Sequence, residues 1–289
     1  MMHRHAAAVS EHPTQIDAKV AVTTHCNGRC KTCPVGFLEH QYGETMPFGK
    51  FVTLWDMLMA SPRIGRVILN GTGELYTIPD HARYLQYVEQ HEQKSVILQT
   101  NGELMDYVPE IGSIVISYNG GNKDAYEYTT GMSHDQMVHN VKRHYPQLAQ
   151  IPDLQLHVLM CEFNADSEGD LLRTWDDFPG RIRVSYKCDN QMTTDRTLPA
   201  YRQTERHFCD YLDGLSIWPD GTVISCAHDM TRKTQWGNIL DDGVEGVLQH
   251  RDRLQKRWEH MIGQWTGLCE RCNYNTPVEG RVKYLERTQ

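Results

Sequence analysis

The sequence predicts an α/β fold on a mainly parallel sheet, and three observations lead there. Six short β-rich runs alternate with helical patterns between Ala18 and Tyr186, which is the mark of consecutive βαβ units. The composition, 39% hydrophobic and 23% charged over 289 residues, suits a large globular domain with a smaller one appended. After about Lys187 the alternation gives way to a polar, irregular stretch, Cys188 to Glu205, which reads as the boundary between the two.

The β-rich runs are Ala18–Thr24, Arg66–Asn70, Ser95–Thr100, Ser113–Tyr118, Leu154–Cys161 and Arg181–Tyr186. Helical spacing recurs between them. Phe51, Leu54, Trp55 and Leu58 mark a helix over Phe48–Met59, and Asp80–His91, Asp135–Leu148 and Glu168–Trp175 follow the same period. Spacing alone does not choose between a curved partial barrel and a flat doubly wound sheet. Past the boundary, Leu215–Trp218 and Thr222–Ser225 flank Pro219-Asp220-Gly221, which is hairpin-turn chemistry. Val244–Met261 reads as one long helix leading to a Cys-x-x-Cys pair.

No apolar run approaches the 18 or so residues of a membrane span. The first fifteen residues lack an apolar signal core, so the expectation is a cytoplasmic protein without membrane contact. A formal charge of −8 argues against nucleic acid as a partner, because phosphate contacts need concentrated Lys and Arg. Nine cysteines in such a protein point to metal binding or catalysis before disulfides.

Their spacing is informative. His25-Cys26-Asn27-Gly28-Arg29-Cys30-Lys31-Thr32-Cys33-Pro34 places three thiols in one loop behind the first strand. In a parallel α/β architecture that is the edge where sites assemble. Three thiolates suit a zinc ion with a distant fourth ligand, or an iron–sulfur cluster with one iron left open. Cys209, Cys226, Cys269 and Cys272 form a second set, two bracketing the hairpin and two in the knuckle, again suited to zinc or to a four-iron cluster.

The Cys-x-x-x-Cys-x-x-Cys loop resembles the signature of the radical S-adenosylmethionine (SAM) superfamily, with Thr32 where many members carry an aromatic residue. Strand ends behind it resemble the family in order: Asn70-Gly71-Thr72-Gly73-Glu74 its Gly-Gly-Glu turn, then Thr100-Asn101-Gly102, then Ser117-Tyr118-Asn119-Gly120, and Asn164 past the fifth strand. The resemblance implies a partial (β/α)₆ barrel over about residues 16–188. Cys26, Cys30 and Cys33 would hold a [4Fe–4S] cluster whose fourth iron is chelated by SAM. Gly71, Thr72, Gly73, Glu74, Thr100, Asn101, Ser117, Asn119 and Asn164 are the implied SAM contacts, the glycines by letting the backbone approach the methionine amino group.

Residues 189–289 resemble the SPASM and twitch extensions, with Gly237-Asn238-Ile239 as a shared feature. No cysteine follows Cys272, which implies the one-cluster twitch form, spaced most like 2-deoxy-scyllo-inosamine dehydrogenases. By that resemblance the second [4Fe–4S] cluster is wholly cysteine-ligated and accepts an electron. The implied activity is oxidation of a secondary alcohol on a sugar or aminocyclitol of natural-product (antibiotic) biosynthesis, fed by a flavodoxin or ferredoxin. Two other enzymatic readings stand beside it, epimerisation of a glycoside and modification of a short peptide. The stretch before Cys26 is too short for a peptide-recognition domain, although some peptide maturases lack one. A zinc-binding scaffold is the non-enzymatic alternative.

Cys161 and Cys188 belong to neither set. Each reads as a small buried hydrophobe, or, in an epimerase, as a hydrogen-atom donor, with Cys188 the better placed. His228 reads as a surface residue, and Asp241, Asp242 and Glu245 as acids favouring a helix N-terminus.

Overall fold

The computed structural model describes residues 14–33, 43–69, 71–186, 208–226, 229, 232–270, 272 and 282–285. Cys188, His228 and Asn70 lie outside the described residues. Six parallel strands follow one another in space as in sequence: β1 (Ile16–Val20), β2 (Ile64–Leu69), β3 (Ser95–Thr100), β4 (Ser113–Ser117), β5 (Asp153–Met160) and β6 (Arg181–Tyr186). Beyond β1 the sheet continues through β7 (Leu215–Ile217), parallel to it, then β8 (Thr222–Ile224) and β9 (Gln235–Asn238), both antiparallel. At the other edge β10 (Val282–Leu285) pairs antiparallel with β6. The C-terminal part thus extends both edges of one ten-stranded sheet.

The two faces of that sheet decide the architecture. Ala18, Val20, Val67, Leu69, Val96, Leu98, Ile114, Ile116, Leu156, Val158, Ile182 and Val184 are all buried in the core. The opposite face, followed through the strand registers, is mixed: it carries Asp17 beside Arg66, Ser117 beside His157, His157 beside Arg183, and Lys19, Gln99 and Ser185, but also Ile68, Ile97, Val115 and Leu159. A doubly wound sheet has helices on both faces and apolar residues throughout its strands. Here one face is uniformly apolar and the other mixes charged, polar and apolar side chains, as in a partial barrel with helices outside and a partly polar concave interior.

The helices lie where the 3.6-residue period puts them. In α1 (Phe48–Ala60) Phe51, Leu54, Trp55 and Leu58 form the buried stripe, and α2 (His81–Gln90) buries Tyr84, Leu85 and Val88. A helix α3 (Lys123–Thr130), absent from the sequence reading, is capped by Asn122, whose Oδ1 accepts from Ala125 N at 3.0 Å, and ends on Gly131 at φ 69°. Its Tyr- and Thr-rich residues have weak helix propensity, so the two caps were its only local signal.

Three expected helices divide. Asp135–Leu148 becomes α4 (His134–Arg143) and α5 (Tyr145–Leu148), split beside Pro146, which has no N–H for the ladder. Glu168–Trp175 is a 3₁₀ turn over Ala165–Asp170 followed by α6 (Leu171–Trp175). Val244–Met261 is α7 (Ile239–Leu248), kinked at Gly243 (φ 67°), and a separate α8 (Arg251–Met261). Of the acids expected at this N-terminus, Asp242 accepts from Asn238 N at 2.9 Å and Asn238 Oδ1 caps Leu240 N at 3.0 Å. The first strand ends at Val20 rather than Thr24, and Thr23 instead bridges Thr45.

Candidate active site

The cysteine loop, residues 26–33, is held by backbone bonds and by a few side chains. Arg29 N and Lys31 N donate to the carbonyls of Thr130 and Thr129 at 2.8 Å each, using the last acceptors of α3, and Cys33 N donates to Cys30 O at 3.0 Å. Arg29 Nη1 closes the loop on itself by donating to Cys26 O at 2.8 Å and Gly28 O at 3.0 Å. All three cysteines are half-buried. Burial pushes the Cys26 thiol up to about 12, with the Glu74 and Cys33 charges adding to the shift and Arg29 opposing it. Cys30 is pushed up as well, by burial first and then by Cys33 and Cys26. Cys26 and Cys30 therefore lie in the field of the neighbouring thiols, and binding a metal there displaces their protons.

The turn after β2 docks onto this loop. Glu74 N donates to His25 O at 2.7 Å, and a Cβ on Gly73 would stand 2.4 Å from Thr23 O and 2.5 Å from His25 O. On Gly71 it would meet Ala21 Cβ at 2.3 Å. Both glycines are thus required by close packing against the continuation of β1. The Glu74 carboxylate is also used internally: Oε1 accepts from Thr100 Oγ1 at 2.9 Å and Tyr76 N at 3.3 Å, and Oε2 from Asn101 N at 2.7 Å. Burial raises its pKa against those three donors.

Asn101 Nδ2 in turn donates to Asn27 Oδ1 at 2.8 Å, and Asn27 Nδ2 donates to Glu103. Glu103 Oε1 accepts from Ser133 N at 2.6 Å. Asn27 and Glu103, which the sequence reading did not single out, therefore tie the cysteine loop to the end of β3 and the start of α4. Asn164 closes a different turn. Its Nδ2 donates to Asn119 O (3.1 Å) and Leu159 O (3.0 Å), and its Oδ1 accepts from Cys161 N at 2.7 Å, which leaves it no amide hydrogen for a ligand. Asn119 Oδ1 accepts from Leu159 N at 3.3 Å. Glu74, Thr100, Asn101 and Asn164 accordingly fix the loops around the site. Two of the expected contacts keep uncommitted hydroxyls: Thr72, 5% exposed, has a buried Oγ1 with no hydrogen-bond partner, and Ser117 at the tip of β4 has none among the described residues.

The second set of cysteines is also gathered. Burial raises the Cys209 thiol to about 12, and the charges of Cys272, Cys269 and Asp210 add to it. Cys272 N donates to Cys269 O at 3.3 Å in the knuckle. Lys19, on the polar face of β1, is enclosed, which lowers its ammonium to about 8, and the charges of Cys226 and Cys209 act on it. One strand therefore runs beside the second thiol set and continues into the first. Among the described residues no three His, Cys, Asp or Glu side chains converge as a single metal ion requires. Cys161 is wholly buried (0% exposed), so it cannot touch a substrate.

Across the concave face, His157 Nε2 lies 2.5 Å from Ser185 Oγ. Enclosure, with the nearby Arg183 charge, pulls its imidazole down to about 4. Below the ordinary histidine value of about 6.5 the unfolded chain takes up a proton that the folded chain refuses, so the stability of the neutral ring is complete above about 6.5 and is lost as pH falls towards 4. The expected loss between pH 7 and pH 4.5 is on the order of 2 kcal/mol after allowing for partial solvent contact. Urea unfolding at the two pH values measures it. His157→Gln is expected to shrink the pH difference by that amount, and an unchanged difference contradicts the assignment.

No family model matches the chain, and no curated protein matches it. Solved structures of radical SAM enzymes do share the fold. BtrN in complex with AdoMet and 2-DOIA superposes with a TM-score of 0.58 at 15% identity, over 90% of this chain and 94% of BtrN. Streptococcus suis SuiB bound to precursor peptide SuiA gives 0.66 at 10% identity, over 84% of this chain and 66% of SuiB. Native anSMEcpe with bound AdoMet gives 0.62 at 11%, over 83% and 82%. The fold is the partial barrel of these enzymes. Among the described residues no helix is long and apolar enough to cross a membrane.

Proposed function

We propose that the chain is a radical SAM oxidoreductase that oxidises a secondary alcohol of a sugar or aminocyclitol and passes the second electron to an auxiliary cluster. The observation that carries this reading is the gathering of two thiol sets along one strand of a radical SAM partial barrel. The residues fit the cofactors they would hold. Cys26, Cys30 and Cys33 supply three soft ligands in one half-buried loop, and the orphaned Thr72 Oγ1 and the Ser117 hydroxyl remain for the polar groups of SAM. Cys209, Cys226, Cys269 and Cys272 would hold the second cluster with four thiolates, which leaves no iron for substrate to ligate.

When bound, SAM and its cluster supply a 5′-deoxyadenosyl radical that takes a hydrogen atom from an unactivated carbon. The rest falls to the protein. The Asn27–Asn101–Glu103 bonds keep the cysteine loop registered on β3, and Gly71 and Gly73 seal the β2 turn against it. The polar side chains of the concave face orient hydroxyl groups and accept the proton that leaves the alcohol. A flavodoxin or ferredoxin would provide the initiating electron.

Peptide modification is the second reading, favoured by the higher TM-scores to SuiB and anSMEcpe, both also solved with peptides. Epimerisation needs a thiol donor at the substrate. With Cys161 buried, that role would fall to Cys188. The test of the leading reading is the Cys269→Ala/Cys272→Ala double variant. Expected are retention of SAM cleavage and loss of oxidised product, two mass units lighter than substrate, by at least about 100-fold. Oxidised product at the wild-type rate contradicts an electron-accepting role.

A further inference from the structure

Tyr126 lies in α3, the helix whose last turn grips the cysteine loop on either side of Cys30, through Arg29 N to Thr130 O and Lys31 N to Thr129 O. Its ring is 0% exposed, stacks on Tyr118 at 5.0 Å between centroids and meets His134 edge-on at 5.8 Å. Its hydroxyl is buried and has no hydrogen-bond partner among the described residues. The polar groups around it are committed elsewhere. His134 Nε2 lies 3.1 Å from Tyr118 Oη, and Thr130 Oγ1 donates to the Tyr126 carbonyl at 2.8 Å and accepts from Met132 N at 3.2 Å. Glu103 Oε1 accepts from Ser133 N at 2.6 Å and Oε2 from Asn27.

A buried hydroxyl without a partner forfeits the bonds it makes in water, and a phenylalanine would fill the same space without that loss. Burial pushes the phenol above its ordinary value, the Glu103 and Cys30 charges add to the shift, and Thr130 opposes it. The hydroxyl therefore keeps its proton and lies in the field of Cys30. Metal binding converts Cys30 from a thiol to a thiolate, which is a strong acceptor. An orphaned donor and an acceptor that appears only with the metal are thus held by the same helix end.

We propose that the Tyr126 hydroxyl donates a hydrogen bond to the Cys30 thiolate of the bound cluster and raises its reduction potential. Reduction adds negative charge to a cluster, so a donor at a ligand sulfur stabilises the reduced form more than the oxidised one. Tyr126 acts through Cys30 and touches no substrate; it sets how readily the cluster accepts its initiating electron. The proposal rests on the cluster reading at Cys26, Cys30 and Cys33, and not on which substrate is oxidised.

A redox titration of the anaerobically reconstituted protein tests it, following by electron paramagnetic resonance the signal that SAM alters. At the wild-type midpoint, Tyr126→Phe is expected to lower the ratio of reduced to oxidised cluster about tenfold, a shift of about 59 mV to lower potential. Replacing Tyr126 with 3-fluorotyrosine, a stronger donor of nearly the same shape, should shift the potential the other way. Iron content should be unchanged in both, and metal-free Tyr126→Phe should unfold no earlier than metal-free wild type. A midpoint that ignores both replacements, or a metal-free Tyr126→Phe that unfolds earlier, overturns the assignment. If Tyr126→Phe assembles no cluster, the direction of the fluorotyrosine shift decides alone. A wild type without a SAM-responsive signal removes the cluster reading and this proposal together, whereas a SAM-responsive signal indifferent to position 126 removes this proposal only.

Discussion

Gly73→Ala is expected to cost the folded protein at least about 3 kcal/mol and to take the cysteine loop with it. The new Cβ would sit 2.4 Å from Thr23 O and 2.5 Å from His25 O. Both obstacles are backbone, so no side chain can swing aside. Relief requires moving the β2 turn away from β1, which breaks the bond from Glu74 N to His25 O and loosens the segment leading into Cys26. Chemical denaturation measures the stability, and iron content after reconstitution reports on the loop. Gly169→Ala, whose Cβ would meet nothing within 4 Å, is the control and should stay within about 0.5 kcal/mol of wild type. Equal stabilities for the two variants would mean that the turn does not pack on the loop as described.

The legible parts of this chain were those whose signals are local. Cys26, Cys30 and Cys33 announce themselves because the loop is one short segment, and β3 and β6 match their expected ranges because alternation and flanking turns fall within the strand itself. Parts that depend on distant partners were not legible. Nothing near Asn27 says that its amide will bridge Asn101 and Glu103, more than seventy positions away. Nothing near Glu74 says that Thr100 Oγ1 and Asn101 N, from the end of another strand, will donate to its carboxylate. β9 and β10 have four residues each, too few for a period to show. Partial barrel against doubly wound sheet was undecidable from spacing because the answer lies in which face of six strands is polar, and that needs the registers.

The account's central claim is that the first cysteine loop holds a cluster that cleaves SAM, and the Cys26→Ala/Cys30→Ala/Cys33→Ala triple variant tests it most directly. Burial and the neighbouring thiols raise the Cys26 and Cys30 thiols in the metal-free chain, a cost that bound metal offsets by taking the thiolates as ligands. Wild type reconstituted anaerobically is expected to bind about eight irons per chain as two four-iron clusters, and to release 5′-deoxyadenosine from SAM under a strong reductant. The triple variant should keep about four irons at Cys209, Cys226, Cys269 and Cys272, and its 5′-deoxyadenosine should fall to the level of a protein-free control. An undiminished yield from the triple variant, or a wild type that binds zinc in place of iron and keeps full activity, would contradict the account.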